Sequence, residues 1–330
     1  MEKTQNDQLK RRDRGELSYI RVVIFFSILG LIVTSLLIFT KETTTPARPS
    51  PPKNSENPPI ILKKNPFDDL NLEARAAIVW DINKQKSLYE YNSEAQLPLA
   101  SLTKLMTVLV ASELLPDEYI ITVEKDSLLE EGDSGLFAHE KWNLSDMLDF
   151  ILVVSSNDGA NVIASIAGAA RMQMSPQSDD SPEATFVRAM NSKSTNINLS
   201  QTYFINETGL DPNSRMSGGY GSVKDVALLM EYILREHPTL VSATVYKTLD
   251  ITSLSGITHT ATNTNKIIGS IPGLIASKTG FTDLAGGNLI VAYNAGLNRP
   301  LIAVVLSSTQ EGRFSDIVQL VEASLLSLSE

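Results

Sequence analysis

The chain has 330 residues, a formal net charge of −10 and 42% hydrophobic residues. That is enough apolar material for a sizeable core, and the acidic balance, with no Lys/Arg-rich stripe, excludes a nucleic-acid binder. Cysteine is absent, which excludes disulfides, thiolate metal sites and cysteine nucleophiles together.

From Val22 to Thr40 the sequence carries no charge and is bracketed by Arg21 and Lys41. This length matches the ~20 residues needed to cross a bilayer as a helix. Lys10, Arg11, Arg12, Arg14 and Arg21 precede it, so the positive-inside rule predicts a cytoplasmic tail (1–21), a single span (22–40) and everything later outside the cell membrane. A cleaved signal peptide has a shorter apolar core and a small-residue cleavage site, and neither is present here. Residues 41–66 hold Pro46, Pro49, Pro51, Pro52, Pro58, Pro59 and Pro66 among polar residues, the composition of a semi-rigid extended linker. A globular domain is expected over 67–330.

Ala76 to Ile82, a turn at Asn83-Lys84 and a return through Ser87 to Tyr91 predict a β-hairpin. Apolar residues at three-to-four spacing predict helices from Ser101 to about Leu115, Leu144 to Val154 and Asn157 to about Ala170. Ser222 reads as the N-cap of a further helix, with Asp225 as an acidic variant of the capping box. Gly287 to Tyr293 and Leu301 to Ser307 read as strands, and Phe314 to Leu326 as a last helix. Strands at both ends with helices between predict an α+β fold in which the first hairpin joins the last strands in one antiparallel sheet.

The three histidines, His139, His237 and His259, fit no metal-ligand spacing, and no G-x-S-x-G elbow nominates a serine for a histidine-based triad. No metal and no cofactor is therefore expected, and a serine enzyme here needs another base. Ser101-Leu102-Thr103-Lys104 supplies one. One helical turn puts Ser101 and Lys104 on the same face, within reach of each other. A helix N-terminus also offers unpaired N–H groups to a developing oxyanion, and a buried lysine loses proton affinity. On its own the quartet reads first as a serine cap followed by a surface lysine, because S-x-x-K is common by chance.

Ser155-Ser156-Asn157 follows the apolar run Leu152-Val153-Val154. Ser155 has the chemistry to relay a proton, and the Asn157 amide to hold a substrate carbonyl; the plain alternative is a helix cap. Lys278-Thr279-Gly280 offers an ammonium and a hydroxyl to a carboxylate at a strand edge, with Gly280 letting a substrate backbone approach. The backbone N–H of Phe281 is then placed to complete an oxyanion hole with that of Ser101. The plain alternative is a turn.

The three motifs occur in this order, about 50 and about 120 residues apart. This trio is the pattern of class A β-lactamases and penicillin-binding proteins. The chain resembles the D-alanyl-D-alanine carboxypeptidases among the low-molecular-weight penicillin-binding proteins over residues 70–325. The likeness extends through Glu131-Gly132-Asp133-Ser134-Gly135, Phe186 to Asn191, Phe204 to Asp211, Asn263-Thr264-Asn265 and Gly280 to Gly286.

The resemblance implies the penicillin-binding/β-lactamase-like transpeptidase fold: an antiparallel sheet packed by helices, plus a mainly helical subdomain. It implies an acyl-enzyme on Ser101, with Lys104 as proton acceptor and Ser155 as third catalytic residue. Asn157 and Lys278 would contact substrate, and Thr279 and Thr282 would bind its carboxylate with help from Arg299. The implied substrate is a peptidoglycan pentapeptide ending in D-Ala-D-Ala, with β-lactams as inhibitors. A D,D-endopeptidase or transpeptidase of the same family shares these residues. A β-lactamase is the next alternative, although Glu207 to Asp211 ends in Asp where the E-x-x-L-N pattern needs Asn. A non-catalytic peptidoglycan-binding sensor is the last, and it would not need Lys104.

Overall fold

In the computed structural model, residues 64–128, 135–174 and 180–329 are described. The central sheet uses β1 (Ala76–Asp81), β2 (Lys86–Tyr91), β10 (Leu274–Thr282), β11 (Gly286–Asn294) and β12 (Pro300–Ser308), in the order β10-β11-β12-β1-β2. All neighbours are antiparallel. The early hairpin thus pairs with the last strands, as the sequence pattern predicts, and β10 becomes an edge.

Every residue of β1 is buried, because both faces of the sheet are covered. Ala76, Ile78 and Trp80 join Ile290, Ala292, Ile302 and Val304 in the core beneath the helices. Ala77 and Val79 join Leu289, Val291 and Tyr293 in a second core under the C-terminal helix. Each fully buried Val, Leu or Ile contributes roughly 1.5–3 kcal/mol relative to exposure, so the sheet is a stiff platform for whatever its edge carries.

The helices of the first layer are α1 (Lys104–Leu114), α2 (Leu144–Val154), α3 (Asn157–Met174), α4 (Pro182–Asn196) and α5 (Val223–Glu236); α6 (Gly312–Ser329) covers the other face. Residues 104–111 of α1 are buried all round, as befits a helix at the centre of the helical layer. Ser222 caps α5 by accepting from Asp225 N, as expected. Asp225 does not return the bond as a capping box would. Its carboxylate instead accepts from Gln201 N at 2.7 Å and Thr202 Oγ1 at 2.9 Å.

Four features differ from the sequence expectation. The first turn of the Ser101 helix is a separate 3-10 helix, Ala100–Thr103. A helix forms over Pro182–Asn196, with Ser181 as its cap and Pro182 at its first position, both local start signals. The hairpin of β8 (Thr248–Thr252) and β9 (Thr258–Thr262) was also unforeseen. Finally, the linker's last residues are folded: Asn65 caps a 3-10 helix, Pro66–Asp69, whose Phe67 stacks on Tyr89 at 5.4 Å.

The expected span 22–40, the tail before it and the linker up to residue 63 lie outside the described residues, as do positions 131–134. Among the described residues no helix is long and apolar enough to cross a membrane.

Candidate active site

Local backbone strain presents Ser101. Ala100, directly before it, is fully buried at φ 49, a left-handed conformation unusual for a residue with a Cβ. Gly209 makes that turn possible. Its own φ is +81, and a Cβ there would fall 1.9 Å from the Ala100 carbonyl oxygen. Gly280 of β10 approaches from the other side: a Cβ would sit 2.9 Å from Leu99 O and 3.2 Å from Ser101 N. The sheet edge therefore lies against the backbone of the Ser101 turn, the arrangement expected if the N–H groups of Ser101 and Phe281 are to share one oxyanion. Phe281 is 41% exposed, so this edge opens to solvent.

Lys104 is fully buried, and its Nζ lies 3.0 Å from Ser101 Oγ. The same nitrogen donates to Asn157 Oδ1 at 2.6 Å and to Thr208 O at 2.7 Å. The segment carrying Thr208 is itself pinned, since Asn206 Oδ1 accepts from Gly209 N at 2.7 Å and Thr107 Oγ1 donates to Glu207 O at 2.6 Å. The lysine head is thus held by three elements, with little freedom to leave Ser101.

Ser155 ends α2 in the left-handed region, φ 64 and ψ 39. The cap of α3 falls to its neighbour, with Ser156 Oγ accepting from Gly159 N at 2.9 Å. That leaves Ser155 and Asn157 facing the lysines. Lys278 Nζ donates to Ser155 Oγ and to Thr279 O, both at 2.8 Å. Lys278 is 2% exposed, and its pKa is lowered well below the usual lysine value. Burial is the largest cause, followed by the positive charges of Lys104 and Arg313.

Thr279 Oγ1 lies 2.5 Å from Thr264 Oγ1 and is 3% exposed. Thr282 is at the β10–β11 turn, where its hydroxyl accepts from Ala285 N at 3.2 Å. Beyond it a cleft of about 490 Å³ is lined by Leu210, Asp211, Phe281 and Thr282, among others.

Arg299 is not brought to this cluster. It precedes β12 at the end where Pro300 pairs with Asn294, whereas the motif strand ends opposite Gly286 and Gly287, and Gly287 pairs with Ser308. Antiparallel pairing thus puts Arg299 at the far end of the sheet, where its guanidinium approaches buried Asp81 at 3.5 Å. The arginine that does reach the motif is Arg313, in the first turn of α6. It is 6% exposed and donates to Gly280 O at 2.7 Å, while its Nε is buried with no hydrogen-bond partner among the described residues. Burial lowers its pKa, and Glu311 partly opposes the shift. The sequence offered no local signal for Arg313, because only the sheet register brings the start of α6 to Gly280.

A buried lysine pair, two serines and an asparagine can together accept a serine proton and return it to a leaving amine without any histidine. Comparison with known proteins agrees with that chemistry. A family model described as D-alanyl-D-alanine carboxypeptidase matches residues 63–310. D-alanyl-D-alanine carboxypeptidase DacF of Bacillus subtilis is 29% identical over 260 residues, covering 77% of this chain and 62% of its own length. A D-alanyl-D-alanine endopeptidase of Pseudomonas aeruginosa is 30% identical over 284 residues, covering 84% and 81%. Penicillin-binding protein D2 from Listeria monocytogenes, solved with ampicillin bound, superposes with a TM-score of 0.64 at 28% identity, covering 77% of this chain and 98% of that one. A mutant of the Streptomyces K15 DD-transpeptidase shares the fold at a TM-score of 0.68 and 21% identity, covering 78% and 99%. The chain spans 62–64% of the length of DacF and of Escherichia coli DacA. With the family model matched over three quarters of the sequence, this chain belongs to the D-alanyl-D-alanine carboxypeptidase family.

Proposed function

We propose that this protein removes the terminal D-alanine from peptidoglycan stem peptides through an acyl-enzyme on Ser101, and that β-lactams inhibit it by acylating the same oxygen. The observation that carries this reading is Lys104 Nζ at 3.0 Å from Ser101 Oγ, inside a cluster closed by Asn157, Ser155 and Lys278.

Ser101 Oγ attacks the carbonyl carbon of the penultimate D-alanine, and its proton passes to Lys104 Nζ, 3.0 Å away. The oxyanion is held by the N–H groups of Ser101 and Phe281. The C–N bond then breaks, and the departing amine takes a proton through Ser155, which Lys278 keeps oriented. Water hydrolyses the ester by the reverse proton path. Asn157 holds the peptide carbonyl. Thr279 and Thr282 bind the terminal carboxylate, and Arg313 takes the place foreseen for Arg299, because its buried guanidinium supports the strand that carries Thr279. The residues need no metal or cofactor for any of these steps.

The membrane arrangement is part of the same proposal: a cytoplasmic tail (1–21), one span (22–40), a linker (41–66) and a catalytic domain (67–330) facing the cell wall. The uncharged run and its basic flank support it.

The test is release of D-alanine from diacetyl-L-Lys-D-Ala-D-Ala, abolished by Ser101→Ala. A second reading, cleavage of D-Ala crosslinks, gains support from the relative named an endopeptidase. Crosslinked muropeptide dimers in the same assay separate the two. A β-lactamase would instead turn over a chromogenic cephalosporin rapidly.

A further inference from the structure

We propose that Thr264 is a positioning residue that aims the Thr279 hydroxyl at the substrate's terminal carboxylate. The inference rests on the proposed function for the identity of the ligand, and on geometry for everything else.

The two hydroxyl oxygens are 2.5 Å apart, at the short end of the range for a hydroxyl–hydroxyl hydrogen bond. A hydroxyl carries one proton. If Thr279 donates to Thr264, it has nothing left to give a substrate. If Thr264 donates to Thr279, the Thr279 proton must point elsewhere, and an anion beside Lys278 and Arg313 is the strongest acceptor that side can receive. Binding of a carboxylate therefore selects the chain Thr264 to Thr279 to anion, in which each bond polarises the next.

This works only if Thr264 cannot drift, and its turn is fastened at every residue. Thr264 N donates to Val153 O at 3.2 Å, two residues before Ser155. Asn263 Nδ2 donates to Thr244 O at 2.9 Å and Tyr246 O at 3.1 Å. Asn265 N returns to Asn263 Oδ1 at 2.9 Å, and Ile267 N to Asn265 Oδ1 at 3.1 Å. Thr244 in turn accepts from Ser277 N at 3.0 Å, on the motif strand itself. One short turn thus sets the distance between the helix end bearing Ser155 and the strand bearing Thr279, and its central side chain reaches Thr279.

The experiment uses the Ser101→Ala protein, so that binding is read without turnover. Affinities for diacetyl-L-Lys-D-Ala-D-Ala and for its C-terminal amide are measured by calorimetry, alone and with Thr264→Val or Thr264→Ser added. Without the Thr264 donor the Thr279 proton is no longer aimed, and the weakened Thr279–carboxylate hydrogen bond is expected to cost the free-acid peptide about tenfold in affinity in the Val variant. The Ser variant stays within about twofold on the same scale, and the amide peptide is indifferent to position 264. Unchanged affinity for the free acid in Thr264→Val overturns the proposal, and so does an equal loss for acid and amide, which marks a merely structural role. Absence of binding by either peptide to the parent protein overturns it as well. D-alanine release by the unmutated enzyme is scored separately. If that fails while the acid-specific loss appears, the carboxypeptidase reading falls and the role of Thr264 stands.

Discussion

Lys278 donates a 2.8 Å hydrogen bond to Ser155 Oγ, joining residues 123 positions apart and coupling the edge strand to the end of α2. Ser155 holds its place in a left-handed conformation, and Lys278 is buried with Lys104 and Arg313 close by. Both residues are arranged at a cost to the fold, and that cost makes their roles testable.

Ser155→Gly removes the hydroxyl and relaxes the backbone. Stability is expected to rise by about 1 kcal/mol, because a left-handed non-glycine residue costs on the order of 1–3 kcal/mol and glycine returns part of this in chain entropy. Turnover is expected to fall by about 10²–10⁴, the usual contribution of a proton-transferring group. Urea melts and D-alanine release check the two effects on one protein. A variant that loses stability and keeps activity contradicts the account.

Lys278 gives a pH dependence with a definite sign. Its folded pKa lies well below its unfolded value, so between the two the unfolded chain binds a proton that the folded chain does not. Its contribution therefore improves as pH rises through that window and worsens as pH falls. Lys278→Met is expected to melt a few degrees higher than the parent at neutral pH, since burying the lysine head has a cost, in desolvation or in giving up its proton, that an apolar chain of similar size avoids. The difference should shrink as pH approaches the usual lysine pKa, while activity is lost throughout. Thermal melts from pH 6 to 10 read it; a gap that widens with pH contradicts the assignment.

Arg313 and Arg299 make a paired test. Arg313→Ala leaves Gly280 O without its donor and removes a buried cation at the motif. The expected result is a loss of about 10–100-fold in kcat/KM on D-Ala-D-Ala peptides, in line with about 1.5–3 kcal/mol for a hydrogen bond to a charged group. Arg299→Ala, at the far end of the sheet and paired with Asp81 rather than with the motif residues, is expected to leave kcat/KM within about twofold, since distant sites without shared partners act nearly independently. The reverse ranking would restore the role first expected for Arg299.

Gly280→Ala tests the close approach of the strand to the nucleophile. A methyl group 2.9 Å from Leu99 O and 3.2 Å from Ser101 N must push the two backbones apart. A cost of about 1–3 kcal/mol in stability is expected from overpacking, together with slower acylation by a fluorescent penicillin. Unchanged acylation would mean that the strand and the Ser101 turn move independently.

Much of this was legible in the sequence because it is local. The apolar run Ala76–Asp81 with its turn at Asn83-Lys84, and the three-to-four spacing in Leu144–Val154, marked those elements, and Ser101-Leu102-Thr103-Lys104 carries its own geometry in one turn. The strain at Ala100 was not legible, since it depends on Gly209 arriving from a distant loop. Arg313 and Arg299 exchanged places for a similar reason. Arg299 precedes a strand that neighbours the motif's own hairpin, but an antiparallel register reverses which end is near, and that register is a property of the whole sheet. Thr264 stood in a stretch the sequence could single out only by resemblance, because its hydroxyl acquires meaning from Thr279, fifteen residues later.

The most direct measurement is labelling of the protein with a fluorescent penicillin, followed by peptide mass mapping. The account predicts one adduct, on Ser101, absent in Ser101→Ala and formed about 10²–10⁴ times more slowly in Lys104→Ala. An adduct on another serine, or undiminished labelling of either variant, would contradict it.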